Sequence, residues 1–128
     1  MVTYTAEIRT GSRDDAGTNA RVSITLYGSG GTADKELTPP SKEHKNPFEK
    51  GYIDSFDIPS NDLGQLHCIN IRHDKSGHKP GWFLEEVKIK VDGKDVAYFP
   101  CSRWLSEGED DKRTSRGLAE YRFYQPNK

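Results

Sequence analysis

The sequence predicts an all-β fold in which about eight short antiparallel strands pack as a two-sheet sandwich. Apolar residues alternate with polar ones in run after run, which is the period of a half-buried strand. Breaks rich in Gly, Pro, Asn and Asp separate these runs at short intervals. No stretch of useful length carries the 3.6-residue period of an amphipathic helix. A sandwich is the natural way to bury one face of every strand.

Four strands are predicted in the first half of the chain, at residues 4–9, 21–26, 35–37 and 52–58. Pro39-Pro40 ends the third strand, because proline lacks the amide hydrogen that a central strand needs. The polar residues that follow these prolines predict a loop over 41–50. Pro59 and the turn residues after it end the fourth strand.

Four more strands are predicted in the second half, at residues 66–73, 82–91, 94–100 and 118–123. Apolar residues alternate with polar ones in both halves of the sixth strand, but the second half is out of step with the first by one residue. This indicates a β-bulge near residues 85–86. Asp92-Gly93 predicts a tight hairpin, because this pair readily adopts positive φ. We expect Trp82 and Trp104 in the core, since aromatic side chains bury large areas.

We predict one domain over residues 1–124 and a disordered tail at 125–128. At 128 residues the chain lies in the usual range for a single domain.

With 19 Lys and Arg against 20 Asp and Glu, the chain has no global electrostatic field to attract nucleic acid. No apolar run is long enough for a membrane-spanning helix. We expect a monomer that is cytoplasmic or peripheral at a membrane, unless it was excised from a larger protein.

The sequence gives little support for catalysis. The four histidines lack the paired spacing of a zinc site. No serine-hydrolase elbow, phosphate loop or cysteine signature is present. We therefore predict that the chain is not an enzyme. Cys68 and Cys101 make no disulfide framework, so we expect two free thiols, with a single bridge as the alternative.

Several sequence blocks follow one another in a distinctive order, at residues 4–11, 16–22, 24–28, 48–51, 71–74, 80–84 and 99–105. Together they resemble the PLAT domain, also called LH2, which is named for polycystin, lipoxygenase and alpha-toxin. The Trp-Phe-Leu and Phe-Pro-Cys-Ser-Arg-Trp-Leu blocks are the most specific. The resemblance implies an eight-stranded β-sandwich of two four-stranded sheets. It also implies a non-catalytic targeting module that binds proteins or lipid surfaces, often with calcium in loops at one edge.

The loop after the first strand supplies the hard oxygen ligands that calcium prefers, of which calcium takes roughly six to eight. Asp15, Gly17, Thr18 and Asn19 offer carboxylate, amide and backbone-carbonyl oxygens, and Gly17 lets the backbone turn a carbonyl inward. Calcium-binding members of the resembled family carry Asp where this chain has Asn19, which removes one charge and should weaken binding. The alternative is that these polar residues only make turns and caps.

Three further residues are candidate calcium ligands. The resemblance implies that the loop before Trp82 can complete the site, which points to Asp74. Asn46, in the loop before Phe48, is a candidate for a second ion. Asp111 closes the acidic run 107–111 and would contribute if that run folds back beside the first loop. Otherwise the acidic run is a solvated surface.

The loop at residues 74–81 predicts a polar contact surface. Alpha-toxin-like members insert aromatic residues from this loop, but here it has no apolar tip to bury in lipid. The residues expected to contact anionic headgroups or a protein partner are Arg72, Lys75, His78 and Lys79. We predict a calcium-responsive module that mediates membrane-surface or protein interaction through edge loops. The alternative is a calcium-independent protein–protein interaction domain that targets a larger parent protein.

Overall fold

The computed structural model describes residues 1–77, 81–110 and 112–121, and it confirms an eight-stranded antiparallel β-sandwich. The strands are β1 (Val2–Thr10), β2 (Val22–Gly28), β3 (Gly31–Glu36), β4 (Ile53–Ser60), β5 (Leu66–His73), β6 (Trp82–Val91), β7 (Lys94–Leu105) and β8 (Ser115–Ala119). Sheet A has the order β4-β1-β6-β7 and sheet B the order β3-β2-β5-β8, with four strands each. In the part of the chain that the structure describes, no helix is long and apolar enough to cross a membrane.

The core lies between the two sheets and is filled by the inward-facing parity of each strand. In β1, for example, Tyr4, Ala6 and Ile8 are buried while the residues between them face outward. The largest fully buried side chains are Trp82, Phe99, Ile8, Ile24, Leu26, Leu37, Ile58, Leu63, Ile69, Ile71, Leu84 and Ile89. Burial of this apolar surface is the main favourable term in folding.

The predicted bulge and hairpin of the sixth strand are both confirmed. On β1, Arg9 pairs with Glu86 and Thr10 with Leu84, so the intervening Glu85 has no partner there. The pairing with β7 shifts at the same place. This extra residue resets the parity, so both halves of β6 bury their apolar side chains. The hairpin turns at Asp92 and Gly93, with φ of 53° and 79°.

Two strand predictions in the first half were wrong in their bounds. β3 begins at Gly31, not at residue 35, because Gly28 pairs with Gly31 across a two-residue turn. β3 is an exposed edge strand, so its polar sequence has no alternation to detect. β4 continues through Pro59 to Ser60, since an edge strand tolerates a proline that a central strand does not.

The last two strands also differ from the prediction. β7 passes through Pro100 and continues to Leu105, again on a sheet edge. β8 lies at Ser115–Ala119, so the last strand begins before the predicted residue 118, because backbone pairing with β5 includes Ser115, Arg116 and Gly117, which carry no apolar alternation. Residues 122 and 123 of the predicted strand lie outside the described residues. After β8 the chain turns to sheet A, where the Tyr121 amide donates to the Tyr98 carbonyl at 2.9 Å. The predicted tail at 125–128 lies outside the described residues.

The two tryptophans differ in burial. Trp82 is in the core as predicted, and its indole Nε1–H donates to the Thr10 hydroxyl at 2.9 Å. The prediction for Trp104 was wrong, since its side chain is only half-buried. Trp104 pairs with Phe83, on the opposite parity from Trp82, and the two rings meet edge to face at 5.4 Å. Phe83 is the buried member of that pair, under the Arg13 guanidinium at 4.2 Å.

Both cysteines are free thiols, as predicted. Burial raises the pKa of the Cys101 thiol. A raised pKa lowers the thiolate fraction at neutral pH, so Cys101 has the character of a core residue and not of a reactive one.

His73, the last residue of β5, is buried and links the end of β7 to the loop that follows β5. Its ring Nε2–H donates to the Leu105 carbonyl at 2.7 Å, and its Nδ1 accepts the Lys75 amide at 3.1 Å. This arrangement requires the neutral ring, since Nδ1 acts as an acceptor. Burial lowers the pKa of His73 and outweighs the raising effects of the Leu105 carbonyl and of nearby acidic groups.

Thr10→Val should lower the free energy of unfolding by about 1–3 kcal/mol, because the Trp82 indole N–H stays buried and loses its acceptor. Urea denaturation measures this change. The matched control is Thr3→Val on the exposed face of the same strand, where we expect a change within about 0.5 kcal/mol. Equal losses in the two variants would contradict the assigned role of the hydrogen bond.

The lowered pKa of His73 predicts acid sensitivity in the range where an ordinary histidine begins to titrate. As pH falls below the ordinary value of 6.5, the unfolded chain binds the proton before the folded one does. The contribution of His73 to stability is therefore complete above that pH and is lost as pH falls through the lowered folded pKa. His73→Gln keeps an amide donor in place of Nε2–H without titrating. Its melting temperature should fall less than that of the wild type between about pH 7 and pH 5, and parallel curves would refute this account.

Candidate functional site

Three loops meet at one end of the sandwich: the β1–β2 loop (residues 11–21), the β3–β4 loop (37–52) and the β5–β6 loop (74–81, described at 74–77 and 81). Backbone hydrogen bonds tie them together. The Thr18 amide donates to the Phe48 carbonyl at 2.9 Å, and the Asp74 amide donates to the Arg21 carbonyl at 3.1 Å. The three loops therefore form one continuous surface, which we call the loop edge.

The β1–β2 loop is held from a second side by β6. The Gly11 amide donates to the Phe83 carbonyl, and the Phe83 amide donates to the Ala16 carbonyl, both at 2.9 Å. A side chain at Gly11 would overlap the Phe83 ring, because a Cβ placed there would lie 2.6 Å from the ring's Cδ1. The loop is thus fixed between strand β6 and the β3–β4 loop.

Gly17 brings the β1–β2 loop into close contact with the β3–β4 loop. A Cβ at Gly17 would lie 2.9 Å from the Phe48 carbonyl oxygen and 3.1 Å from the Glu49 Cα. Both are backbone atoms, which cannot move aside cheaply. Glycine at this position lets the Glu49 backbone approach Asp15 and Asn19 on the other loop.

A shallow concavity of about 200 Å³ lies where these two loops meet. Its walls are Asp15, Gly17, Asn19, Glu49 and Lys50. The half-buried Glu49 carboxylate has no hydrogen-bond or ion-pair partner among the residues that the structure describes. The Lys50 ammonium is held 3.1 Å from Asp14, an exposed carboxylate outside the lining. We call this depression the acidic concavity.

A larger concavity of about 400 Å³ adjoins the acidic one and shares Asn19 and Glu49 with it. Thr18 and Asn46 are also in its lining, above an apolar floor that includes Phe48. The Thr18 hydroxyl accepts the Ala20 amide at 3.1 Å and is buried, so it shapes the loop. Five predicted metal ligands therefore line one or both of two adjoining concavities, namely Asp15, Gly17, Thr18, Asn19 and Asn46.

Asp74 lines neither concavity. One of its carboxylate oxygens accepts the amides of Arg21 at 3.1 Å and of Ser76 at 2.9 Å, which is the pattern of a turn cap. Hydrogen bonds from Ser76 and then from the Arg21 amide lower the pKa of Asp74. In this geometry Asp74 organises the loop edge, and its role as a ligand stays a prediction. Asp111 lies outside the described residues.

The donor set of the acidic concavity fits calcium better than a transition metal. Within residues 1–77, 81–110 and 112–121, no three His, Cys, Asp or Glu side chains gather as a metal cluster. An ion there would take the carboxylates of Asp15 and Glu49, the Asn19 amide and backbone carbonyls, with water completing the shell. Mixed oxygen sets of this kind suit calcium, whereas zinc sites need nitrogen or sulfur ligands.

Glu49 also lines this concavity but is not among the ligands predicted from the sequence. It carries no periodic or spacing signal, because it lies in an irregular loop directly after a buried aromatic residue. Its place beside Asp15 depends on the sheet order, which brings the loop leading into β4 next to the loop leaving β1. A clue in the sequence was the small Gly17, which permits another loop to approach.

The predicted contact residues that the structure describes are both in ion pairs. Arg72 lies on the outer face of sheet B, with its guanidinium 2.8 Å from Asp34. The Thr25 hydroxyl and the Arg72 guanidinium lower the pKa of that aspartate. Lys75 reaches Glu107 at 3.2 Å in an exposed pair, which is weak and can exchange for another anion. His78 and Lys79 lie outside the described residues.

The loop edge presents a polar surface. Among the described residues, the exposed large hydrophobic side chains are Met1, Tyr27, Val96 and Tyr121. None of them belongs to the β1–β2, β3–β4 or β5–β6 loop. Insertion into lipid requires buried apolar side chains, so contact through the described part of the loop edge is limited to headgroups or to a polar protein surface.

Comparison with known proteins places this geometry in a family. The model of the PLAT/LH2 domain matches residues 4–116. Lipoxygenase homology domain-containing protein 1 of Mus musculus is 38% identical over 130 residues, which cover 97% of this chain and 6% of that protein. The chain therefore spans only a small part of that relative.

Solved structures with the same fold include two lipoxygenases. A coral 8R-lipoxygenase aligns with a TM-score of 0.75 and 30% identity over 92% of this chain and 17% of that one. A calcium-dependent 11R-lipoxygenase aligns with a TM-score of 0.63 and 27% identity over 99% of this chain and 18% of that one. Because the family model matches residues 4–116, which is most of the chain, this chain belongs to the PLAT/LH2 domain family.

Proposed function

We propose that this chain is a non-catalytic, calcium-responsive module that contacts a membrane surface or a protein partner through its loop edge. The observation that carries the proposal is the half-buried residue Glu49, whose carboxylate has no partner among the described residues, beside Asp15, Gly17 and Asn19. The coral 8R-lipoxygenase is described as having calcium activation via a C2-like domain, and the 11R-lipoxygenase as calcium-dependent. Those descriptions support calcium as the ion.

The electrostatics of the acidic concavity explain why an ion would bind there. A carboxylate that lacks a protein partner attracts a cation, and a second carboxylate on the facing loop strengthens that attraction. A divalent cation neutralises both Asp15 and Glu49 and joins the β1–β2 loop to the β3–β4 loop. Because Asn19 supplies a neutral oxygen, the charge count is low, and affinity depends on ligand charge and site rigidity.

Calcium would also change what the loop edge attracts. Without the ion, Asp15 and Glu49 repel anionic headgroups. With the ion bound, that repulsion is removed, and basic side chains such as Lys75 are each worth about 1 kcal/mol at an anionic surface. Lys75 can exchange Glu107 for a headgroup, since the pair is exposed. The contact is therefore peripheral and salt-dependent.

Calcium should raise the melting temperature of the isolated chain, because an ion that binds only the folded state stabilises it. At ten times the dissociation constant the gain is about 1.4 kcal/mol, which corresponds to roughly 5 °C for a chain of this size. Glu49→Gln and Asp15→Asn should each shrink the shift.

The matched control is Asp92→Asn in the β6–β7 hairpin, at the other end of β6 from the loop edge. It removes one charge and keeps a residue that tolerates positive φ, so it should leave the calcium shift unchanged. No shift in the wild type at millimolar calcium would refute the ion site. An equal shift in all variants would place the ion elsewhere.

Lipid vesicles separate the proposal from a calcium-independent interaction domain. The lack of a three-carboxylate cluster among the described residues favours that second candidate. We expect sedimentation with vesicles containing anionic phospholipid in calcium, release by chelator, and weakening by added salt. Lys75→Glu should reduce sedimentation, whereas Lys94→Glu in the β6–β7 hairpin should not. No sedimentation, together with chelator-resistant binding to a protein partner, would favour the second candidate.

A further inference from the structure

We propose that Asp54, which lines neither concavity, is the positioning residue that holds the calcium-binding loops in place. This inference rests on the proposed calcium site, because it assigns the cause of that site's geometry. Asp54 lies on β4 and its side chain is fully buried. A fully buried carboxylate needs strong hydrogen-bond donors, and here its three nearest donors all belong to the β3–β4 loop.

The donors surround both carboxylate oxygens. Oδ1 accepts the Ser41 hydroxyl at 2.6 Å and the His44 ring Nδ1–H at 2.9 Å. Oδ2 accepts the Phe48 backbone amide at 2.8 Å. The Ser41 oxygen in turn accepts the His44 amide at 2.9 Å, and the His44 ring stacks on Tyr52 at 3.7 Å. The β3–β4 loop is therefore wrapped around one buried charge.

Phe48 connects Asp54 to the β1–β2 loop through its backbone. Its φ is +68°, a conformation that bulky residues rarely adopt and that persists only where surrounding contacts hold it. Its amide is bonded to Asp54, and its carbonyl accepts the Thr18 amide at 2.9 Å. The buried Phe48 ring packs against Trp82 with centroids 5.3 Å apart. The backbone of one strained residue thus links the carboxylate to the β1–β2 loop.

The residues on either side of Phe48 line the concavities. Asn46 lies two residues before it and Glu49 one residue after it. Their positions depend on the Phe48 backbone, which in turn depends on Asp54. Groups that orient ligands without touching the metal affect affinity strongly, and their loss typically weakens binding roughly 10- to 100-fold.

The test is the affinity for calcium measured by isothermal titration calorimetry. Asp54→Asn keeps the size of the side chain but offers one acceptor where two are needed, and we expect affinity to fall roughly 10- to 100-fold. The matched control is Asp95→Asn on β7. Asp95 is exposed and lies 3.9 Å from Lys90, and because neither residue belongs to the three loops, its loss should leave affinity unchanged.

Two more variants test the same inference. Ser41→Ala removes one donor to Asp54 and should weaken calcium binding by a smaller factor than Asp54→Asn does. It replaces Asp54→Asn as the test variant if Asp54→Asn does not fold. Ile89→Val shortens a core residue in sheet A and should lower stability while leaving affinity unchanged. Affinity in folded Asp54→Asn within twofold of the wild type, or an equal loss in Ile89→Val, would overturn the inference.

Amide hydrogen exchange in chelator tests the positioning without calcium. In Asp54→Asn and Ser41→Ala, the Thr18 amide should exchange faster relative to core amides such as that of Ile8, whereas in Asp95→Asn it should not. If the wild type binds no calcium, the proposed function fails, and exchange at Thr18 still decides whether Asp54 holds the two loops together. Unchanged protection of Thr18 in both variants would overturn the inference.

Discussion

The geometry of the loop edge depends on one constraint, which is that a fully buried carboxylate must be surrounded by donors. Asp54 satisfies this requirement with groups drawn from the irregular β3–β4 loop, residues 37–52. Without a template of this kind, a loop of that length has many conformations of similar free energy. The buried charge selects one of them, and it fixes the strained backbone of Phe48 as part of it.

The β1–β2 loop is fixed by backbone contacts on two sides. Phe48 accepts the Thr18 amide on one side, and Phe83 exchanges bonds with Gly11 and Ala16 on the other. Phe83 follows Trp82, whose ring fills the core and whose indole is bonded to Thr10 on β1. Packing in the sandwich and geometry at the loop edge are therefore coupled through two neighbouring residues of β6. Such coupling gives a ligand-binding loop the rigidity that an ion site needs.

The surface that results is polar and rich in paired charges. Arg72 and Lys75 are both in ion pairs, and Ala16, Leu37 and Phe48 of the loops are buried. This chemistry agrees with the peripheral contact proposed for this PLAT/LH2 domain. The chain matches 6% of the length of a relative such as Lipoxygenase homology domain-containing protein 1.

The sequence by itself determined the sandwich, the bulge at Glu85, the hairpin at Asp92 and the burial of Trp82, because period-two alternation and turn chemistry are local properties. It misplaced the bounds of the edge strands β3 and β8, where backbone pairing and not alternation forms the strand. Asp15 and Asn19 lie in one loop of the sequence, and in the structure both line the same concavity. The tertiary structure alone decided that Glu49 joins them and that Asp74 caps a turn. Those roles depend on which loops the sheet order makes neighbours and on the donors that the β3–β4 loop supplies to Asp54. No local sequence pattern encodes either.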